Sequence, residues 1–140
     1  DASANGARVR FTRNIGNIVL DLVGIEDAEL NLLGGTDSLA VRELTGTGLT
    51  FVGANLASAL GGASGDATAD QVSVDGTAGD DTVQVAAIGS AVEVTGLAAV
   101  VRVTVADPAL DALTVNGLAG NDTITAAPPV ASLLVLSLVP

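Results

Sequence analysis

Residues 69–85, ADQVSVDGTAGDDTVQV, return 41 positions later as LDALTVNGLAGNDTITA over 110–126. A weaker copy, DAELNLLGGTDSLAV, covers 27–41, with its apolar anchor Leu39 lying 44 residues before Val83 of the first full copy. Each copy reads as a short alternating strand, a Gly-and-Asp turn and a second alternating strand. Self-similarity at a fixed spacing marks stacked architectures, because one such unit cannot bury its apolar face alone.

Period-two alternation runs through almost the whole chain, and helical periodicity is nearly absent. Val9 and Phe11 alternate with Arg8, Arg10 and Thr12, and Val101, Val103 and Val105 flank Arg102 and Thr104. One leading apolar residue per expected strand gives Val9, Leu20, Leu30, Leu39, Leu49, Leu60, Val72, Val83, Val92, Val101, Leu113, Ile124 and Leu134, at steps of 9 to 12 residues. Gly, Asp, Asn or Pro marks most of the turns between them. The chain is therefore expected to be all-β, as a flattened two-sheet β-solenoid of roughly six coils, ~30 Å long at ~4.8 Å per coil. A β-sandwich is the alternative. Residues 1–140 form a single domain, with 61–71, GGASGDATADQ, as its one extended and mobile loop.

Composition supports a thin cross-section. The chain is 49% hydrophobic, yet Phe11 and Phe51 are its only aromatic residues, so the core must consist of Val, Leu, Ile and Ala. Sixteen acidic residues face five arginines, for a net charge of −11. That balance repels phosphates and excludes nucleic acid as a partner. The apolar run Val130–Val139 is ten residues long, short of the ~20 needed for a spanning helix. It reads as a buried or pairing strand, so no membrane insertion is expected. The first residue is Asp1 and not Met, as in a processed product or a piece of a longer chain.

The turns carry the one pattern with a chemical meaning. Gly76–Gln84 and Gly117–Thr125 both fit G-G-x-G-x-D-x-U-x, U being a large apolar residue, except at the second position. Leu32–Ala40 keeps only Gly35, Asp37 and Leu39 of the fixed positions. Glycine frees backbone carbonyls in such a turn, and aspartate adds a hard anionic oxygen suited to calcium. The candidate metal ligands are Asp80, Asp81, Asn121, Asp122 and Asp37. Side-chain capping of the turn amides by Asp37, Asp81 and Asp122 is the competing role. Asp66 and Asp70 read as solvated loop residues.

With these motifs the chain resembles secreted bacterial proteins of the haemolysin-type (RTX) calcium-binding class, in the degenerate β-rich region that precedes their tandem Gly-Asp repeats. The resemblance runs from about Asn17 to Ala126, through IVLDLVGIEDAELNLLGG, NLASALGGASGDATADQVSVDGTAGDDTV and LTVNGLAGNDTI. It implies an extracellular or cell-surface protein, part of an adhesin or matrix component, whose folding calcium promotes. The chain departs from the family because its copies are not in tandem. With two strands per coil they would lie on one edge but two coils apart, ~9.6 Å, too far to share an ion. The turns expected between them, near Gly53-Ala54-Asn55 and Gly96–Ala99, offer no carboxylate.

No enzyme is expected. Without His, Cys, Lys or Tyr the usual nucleophile–base pairs are missing, so no catalytic residue is named. A polysaccharide-acting β-helix would need two acids singled out from sixteen, and none are. Asn121-Asp122-Thr123 matches a glycosylation sequon by coincidence. Partners are sought at the ends instead, where unpaired strands invite association. Either the Arg8–Arg13 end stacks on the Leu133–Val139 end of another copy, making a filament, or further repeats of the same chain cover that edge.

Overall fold

The computed structural model describes residues 1–140 and is all-β, with one 3-10 turn at Pro128–Ser132. Strands follow wherever small apolar residues alternate with polar ones: β1 (Ala2–Asn5), β2 (Arg8–Arg13), β3 (Ile18–Leu22), β4 (Asp27–Asn31), β5 (Ser38–Val41), β6 (Phe51–Asn55) and β7 (Gln71–Asp75). β8 (Thr82–Ile88), β9 (Ala91–Thr95), β10 (Val100–Thr104), β11 (Ala112–Asn116), β12 (Thr123–Ala126) and β13 (Val135–Val139) complete the set. They form two mixed sheets. The first has the order β13-β11-β7-β5-β1-β2-β3, the second β12-β8-β9-β10-β6-β4.

From β3 onward the chain passes back and forth between the sheets, and strands that return to a sheet lie parallel to their predecessors. Ser38 of β5 stands beside Gln71 of β7, Gln71 beside Ala112 of β11, and Ala112 beside Val135 of β13. In the second sheet β4, β6 and β10 are parallel, as are β8 and β12. Two antiparallel excursions interrupt this path, β1-β2-β3 in the first sheet and β8-β9-β10 in the second.

The second excursion corrects the expected spacing of the repeat. β9 and β10 stay in the sheet of β8 and fold back beside it, so they add no passage between sheets. The copies 69–85 and 110–126 are therefore direct neighbours, with β7 on β11 and β8 on β12. Gly53–Asn55 lies within β6 and is not a turn. Gly96–Ala99 is the β9–β10 hairpin connection.

One cluster of 21 buried residues, drawn from both sheets, forms the core. Val72 and Val74 of β7, Val83 and Val85 of β8 and Leu113 and Val115 of β11 are at most 1% exposed. Their polar neighbours in the strands point the other way, as period-two geometry requires. Both phenylalanines are only half-buried, and Arg102 lies over the Phe51 ring at 5.2 Å from its centre. No strand covers 56–70. That segment is tied down by the Ala67 N–H on Asp107 Oδ2 (2.8 Å) and by Asp66 Oδ2, which accepts from the Gly35 N–H (2.6 Å). No helix is long and apolar enough to cross a membrane.

Candidate functional site

The turns β7–β8 (76–81) and β11–β12 (117–122) lie side by side on one edge of the molecule. Gly76 N–H donates to Asn116 O at 2.7 Å, and Thr123 N–H to Asp81 O at 2.8 Å. Side chains complete the contact. Asp81 N–H donates to Asp122 Oδ1 (2.8 Å), and Asn121 N–H donates to Asp80 Oδ1 (2.8 Å). Asp80, Asp81, Asn121 and Asp122 are thus brought together, where the expected two-coil spacing would have kept the two pairs apart.

The glycines are needed for space. Asp81 folds back over Gly76, where a Cβ would stand 2.6 Å from Oδ2, and Asp122 closes on Gly117 still more tightly. At Gly120 a Cβ would meet the Gly79 carbonyl of the neighbouring turn, and the φ of +135° adds a backbone reason.

Asp37 is not part of this edge. The weak copy runs from the second sheet to the first (β4 to β5), whereas the two full copies run from the first to the second. Asp37 therefore stands at the opposite edge, in a column with Asp70 and Asp111. Asp37 N–H donates to Asp70 Oδ1 (2.8 Å), and Asp70 N–H donates to Asp111 Oδ1 (2.9 Å). Asp111 Oδ2 accepts from the Asp107 N–H (2.7 Å). Asp70 and Asp111 are each 1% exposed, so Asp70 is a core-edge residue and not a solvated loop residue.

This column was missed in the sequence although a signal existed. Thr36-Asp37-Ser38-Leu39-Ala40-Val41, Ala69-Asp70-Gln71-Val72-Ser73-Val74 and Leu110-Asp111-Ala112-Leu113-Thr114-Val115 share the phase x-Asp-x-apolar-x-Val. Alignment on that phase, and not on the Gly-Asp turn, places all three copies in register.

Burial raises the pKa of Asp70 above the usual carboxylate value. The Asp37 N–H opposes that shift, and the charges of Asp111, Asp66 and Asp37 reinforce it. The hydroxyl and N–H of Thr68, together with the Gly35 N–H, lower that of Asp66. A third knot lies at the end of β7. There Asp75, 8% exposed, accepts from Arg42 Nη1 at 2.6 Å and from Asn116 Nδ2 at 2.9 Å.

What the edges can do chemically follows from how many oxygens are free. Asp81 Oδ2 already accepts from the Thr77 N–H (2.7 Å), and Thr77 Oγ1 lies 3.2 Å from both Asp81 oxygens. Asp122 Oδ1 and Asp80 Oδ1 hold turn amides. Asp122 Oδ2 is the one buried side-chain oxygen or nitrogen without a partner. No three acidic side chains converge as a cation cage would need. The residues do not fit calcium's six to eight oxygens unless Asp80 and Asp81 leave their amides.

Compared with known proteins, the chain matches no family model, no curated sequence and no solved structure.

Proposed function

We propose that the chain is a non-catalytic structural spacer, built as a β-solenoid and exposed at the surface of a bacterial cell or in its extracellular matrix. The observation that carries this reading is the in-register stacking of β7-turn-β8 on β11-turn-β12, 41 residues apart. The side chains of its turns cap the amides of the neighbouring turn, which supports a stacking role. The resemblance of its Gly-Asp phrases to haemolysin-type proteins supports the extracellular placement.

A stack of this kind lengthens by whole coils. β11 and β13 are 23 residues apart in register, and β12 lies between them in the chain, so Ala112–Leu134 supplies one strand to each sheet. A second copy of Ala112–Leu134 placed before Val135 should give a chain that unfolds in one cooperative step with an undiminished melting temperature. A broad or two-step transition would refute the stacked reading.

Calcium stabilisation is the second reading, favoured by the partnerless Asp122 Oδ2. It requires that chelator lower the melting temperature and that added calcium restore it. An unchanged melting temperature leaves amide capping as the whole role of these turns.

A further inference from the structure

A glycine after Asn or Asp opens a side reaction of the backbone. With no Cβ in the way, the glycine nitrogen can reach the side-chain carbonyl carbon before it and close a five-membered imide. The chain has three such pairs, Asn5-Gly6, Asp75-Gly76 and Asn116-Gly117.

The stack shuts two of them. Gly76 N–H donates to Asn116 O and Gly117 N–H to Val139 O, each at 2.7 Å, so both nitrogens are engaged. Both glycines are buried. The acid and the amide are held as well: Asn116 Nδ2 donates to Asp75 Oδ1 at 2.9 Å, and Arg42 Nη1 to Asp75 Oδ2 at 2.6 Å. A Cβ on Gly76 would stand 2.9 Å from the Gly117 carbonyl oxygen, so neither turn has room to rotate.

Asn5-Gly6 is open. Asn5 stands beside Arg8 across the two-residue β1–β2 turn, in which Gly6 has a φ of +63° and Ala7 does not follow it, the Gly-X form of a type II′ hairpin. Gly6 N–H donates to no backbone oxygen, and Asn5, Gly6 and Ala7 are all exposed. A Cβ on Gly6 would meet no atom within 4 Å. The Asn5 side chain is held only by Nδ2, which donates to Asp21 Oδ1 at 3.4 Å.

We propose that Asn5 is a site of spontaneous deamidation, and that its conversion loosens the antiparallel excursion from the stack. Gly6 N gives up its proton and bonds to Asn5 Cγ, the Cγ–Nδ2 bond breaks, and ammonia leaves with that proton. Water then opens the imide at either carbonyl, leaving an aspartyl or an isoaspartyl residue at position 5. The isoaspartyl form adds a methylene to the main chain at the residue that closes the turn, so the register of Asn5 with Arg8 is lost. Either form sets a second carboxylate beside Asp21, with Arg8 as their one ion-pair partner. β1 alone joins β2 and β3 to β5 in the first sheet, through Arg42 N–H on Ala2 O (2.8 Å) and Ala4 N–H on Glu43 O (3.1 Å).

The test is to age the 140-residue chain in mildly alkaline buffer, folded and in urea, and to map each site by peptide mass spectrometry. In urea both Asn-Gly pairs should convert at similar rates. In the folded chain Asn116 should slow by about tenfold or more, since its glycine must first leave a backbone bond, while Asn5 stays within a few-fold of its unfolded rate. Isoaspartate at position 75 should likewise form only in urea. Asn5 slowed as much as Asn116 overturns the proposal.

Hydrogen exchange of the aged chain reads the consequence. By the alternation of an antiparallel ladder the N–H groups of Arg8 and Arg10 face β1, and they should exchange about tenfold faster than before ageing. The amides of β7 and β11 should be unchanged, which reports an intact stack. Asn5→Gln should age without this change, and Asn5→Asp, which adds the charge alone, should loosen the hairpin less than the isoaspartyl form does. Unchanged exchange at Arg8 and Arg10 after conversion overturns the loosening.

Discussion

Thr77 and Leu118 hold the same place in two stacked turns and treat the aspartate of the turn differently. Thr77 gives Asp81 a backbone N–H and a hydroxyl, whereas Leu118 adopts a φ of +76°, is 60% exposed and leaves Asp122 Oδ2 without a partner. A left-handed Leu is strained, and a buried lone acceptor costs about 1–3 kcal/mol. Leu118→Thr should let the second turn copy the first and raise the melting temperature by about 3 °C for about 1 kcal/mol gained. Gly117→Ala should lower it, because the added Cβ collides with Asp122. Asp70 gives a pH signature of opposite sign to ordinary carboxylates. Its raised folded-state pKa means that the folded chain holds the proton more tightly than the unfolded one. The stability it adds is full below about 3.9 and is lost as pH rises through the raised value. Asp66 works the other way, adding stability above about 3.9 that disappears as pH falls through its lowered value. Asp70→Asn keeps an oxygen for the Asp37 N–H and removes the buried charge. Thermal melts should show it more stable than the parent at pH 7 and equal to it near pH 3. Equal melting temperatures at both pH values would show that burial does not govern Asp70.

Leu113 and Leu60 looked alike in the sequence, each the leading apolar residue of an expected strand. Leu113 is fully buried in β11, while Leu60 lies in the strandless segment 56–70 and is 76% exposed. Truncation to Ala should therefore cost about 2–5 kcal/mol at Leu113 and less than about 0.5 kcal/mol at Leu60, as chemical denaturation would measure. Alternation made β7 to β12 legible, because valines two apart can bury one face only in an extended chain. It failed where spacing stood in for alternation. Leu49 and Leu134 are buried just ahead of β6 and β13, not within them, and the polar-looking Ala2–Asn5 forms β1 through pairing with β2. The Gly-Asp edge was visible because its residues are local. The Asp37–Asp70–Asp111 column was not, since its members meet only through a path that reverses between copies, and sheet assignment is not written in any one segment. The same blindness put the two full copies two coils apart: a hairpin that stays in its sheet looks in sequence like two further crossings.

At the scale of the whole molecule, the ends differ from the expected pair. The strand of Arg8–Arg13 is interior, and β3 is the outer strand of the first sheet. Edge strands of soluble proteins usually carry a guarding charge. β3 has one, Asp21, and Arg8 neutralises it through Nε at 2.7 Å. Ile15, Ile18, Val19, Leu20 and Val23 are 40–65% exposed along this edge, so the largest run of uncovered apolar side chains sits on unpaired backbone. Direction also matters. Each antiparallel excursion contains two reversals, so β3 runs parallel to β13 at the far edge, and β4 runs parallel to β12. A second copy translated along the stack would thus meet β3 with a β13 of matching polarity, and repeated contacts of that kind do not close. The 140-residue chain should scatter light increasingly with concentration and show rods in negative stain. Val19→Lys restores a guarding charge at an exposed site, should change stability by less than about 0.5 kcal/mol, and should leave monomers. If the parent chain is itself monomeric at millimolar concentration, the apolar edge is not an assembly surface. Rods that persist in the Val19→Lys chain would place the contact away from β3.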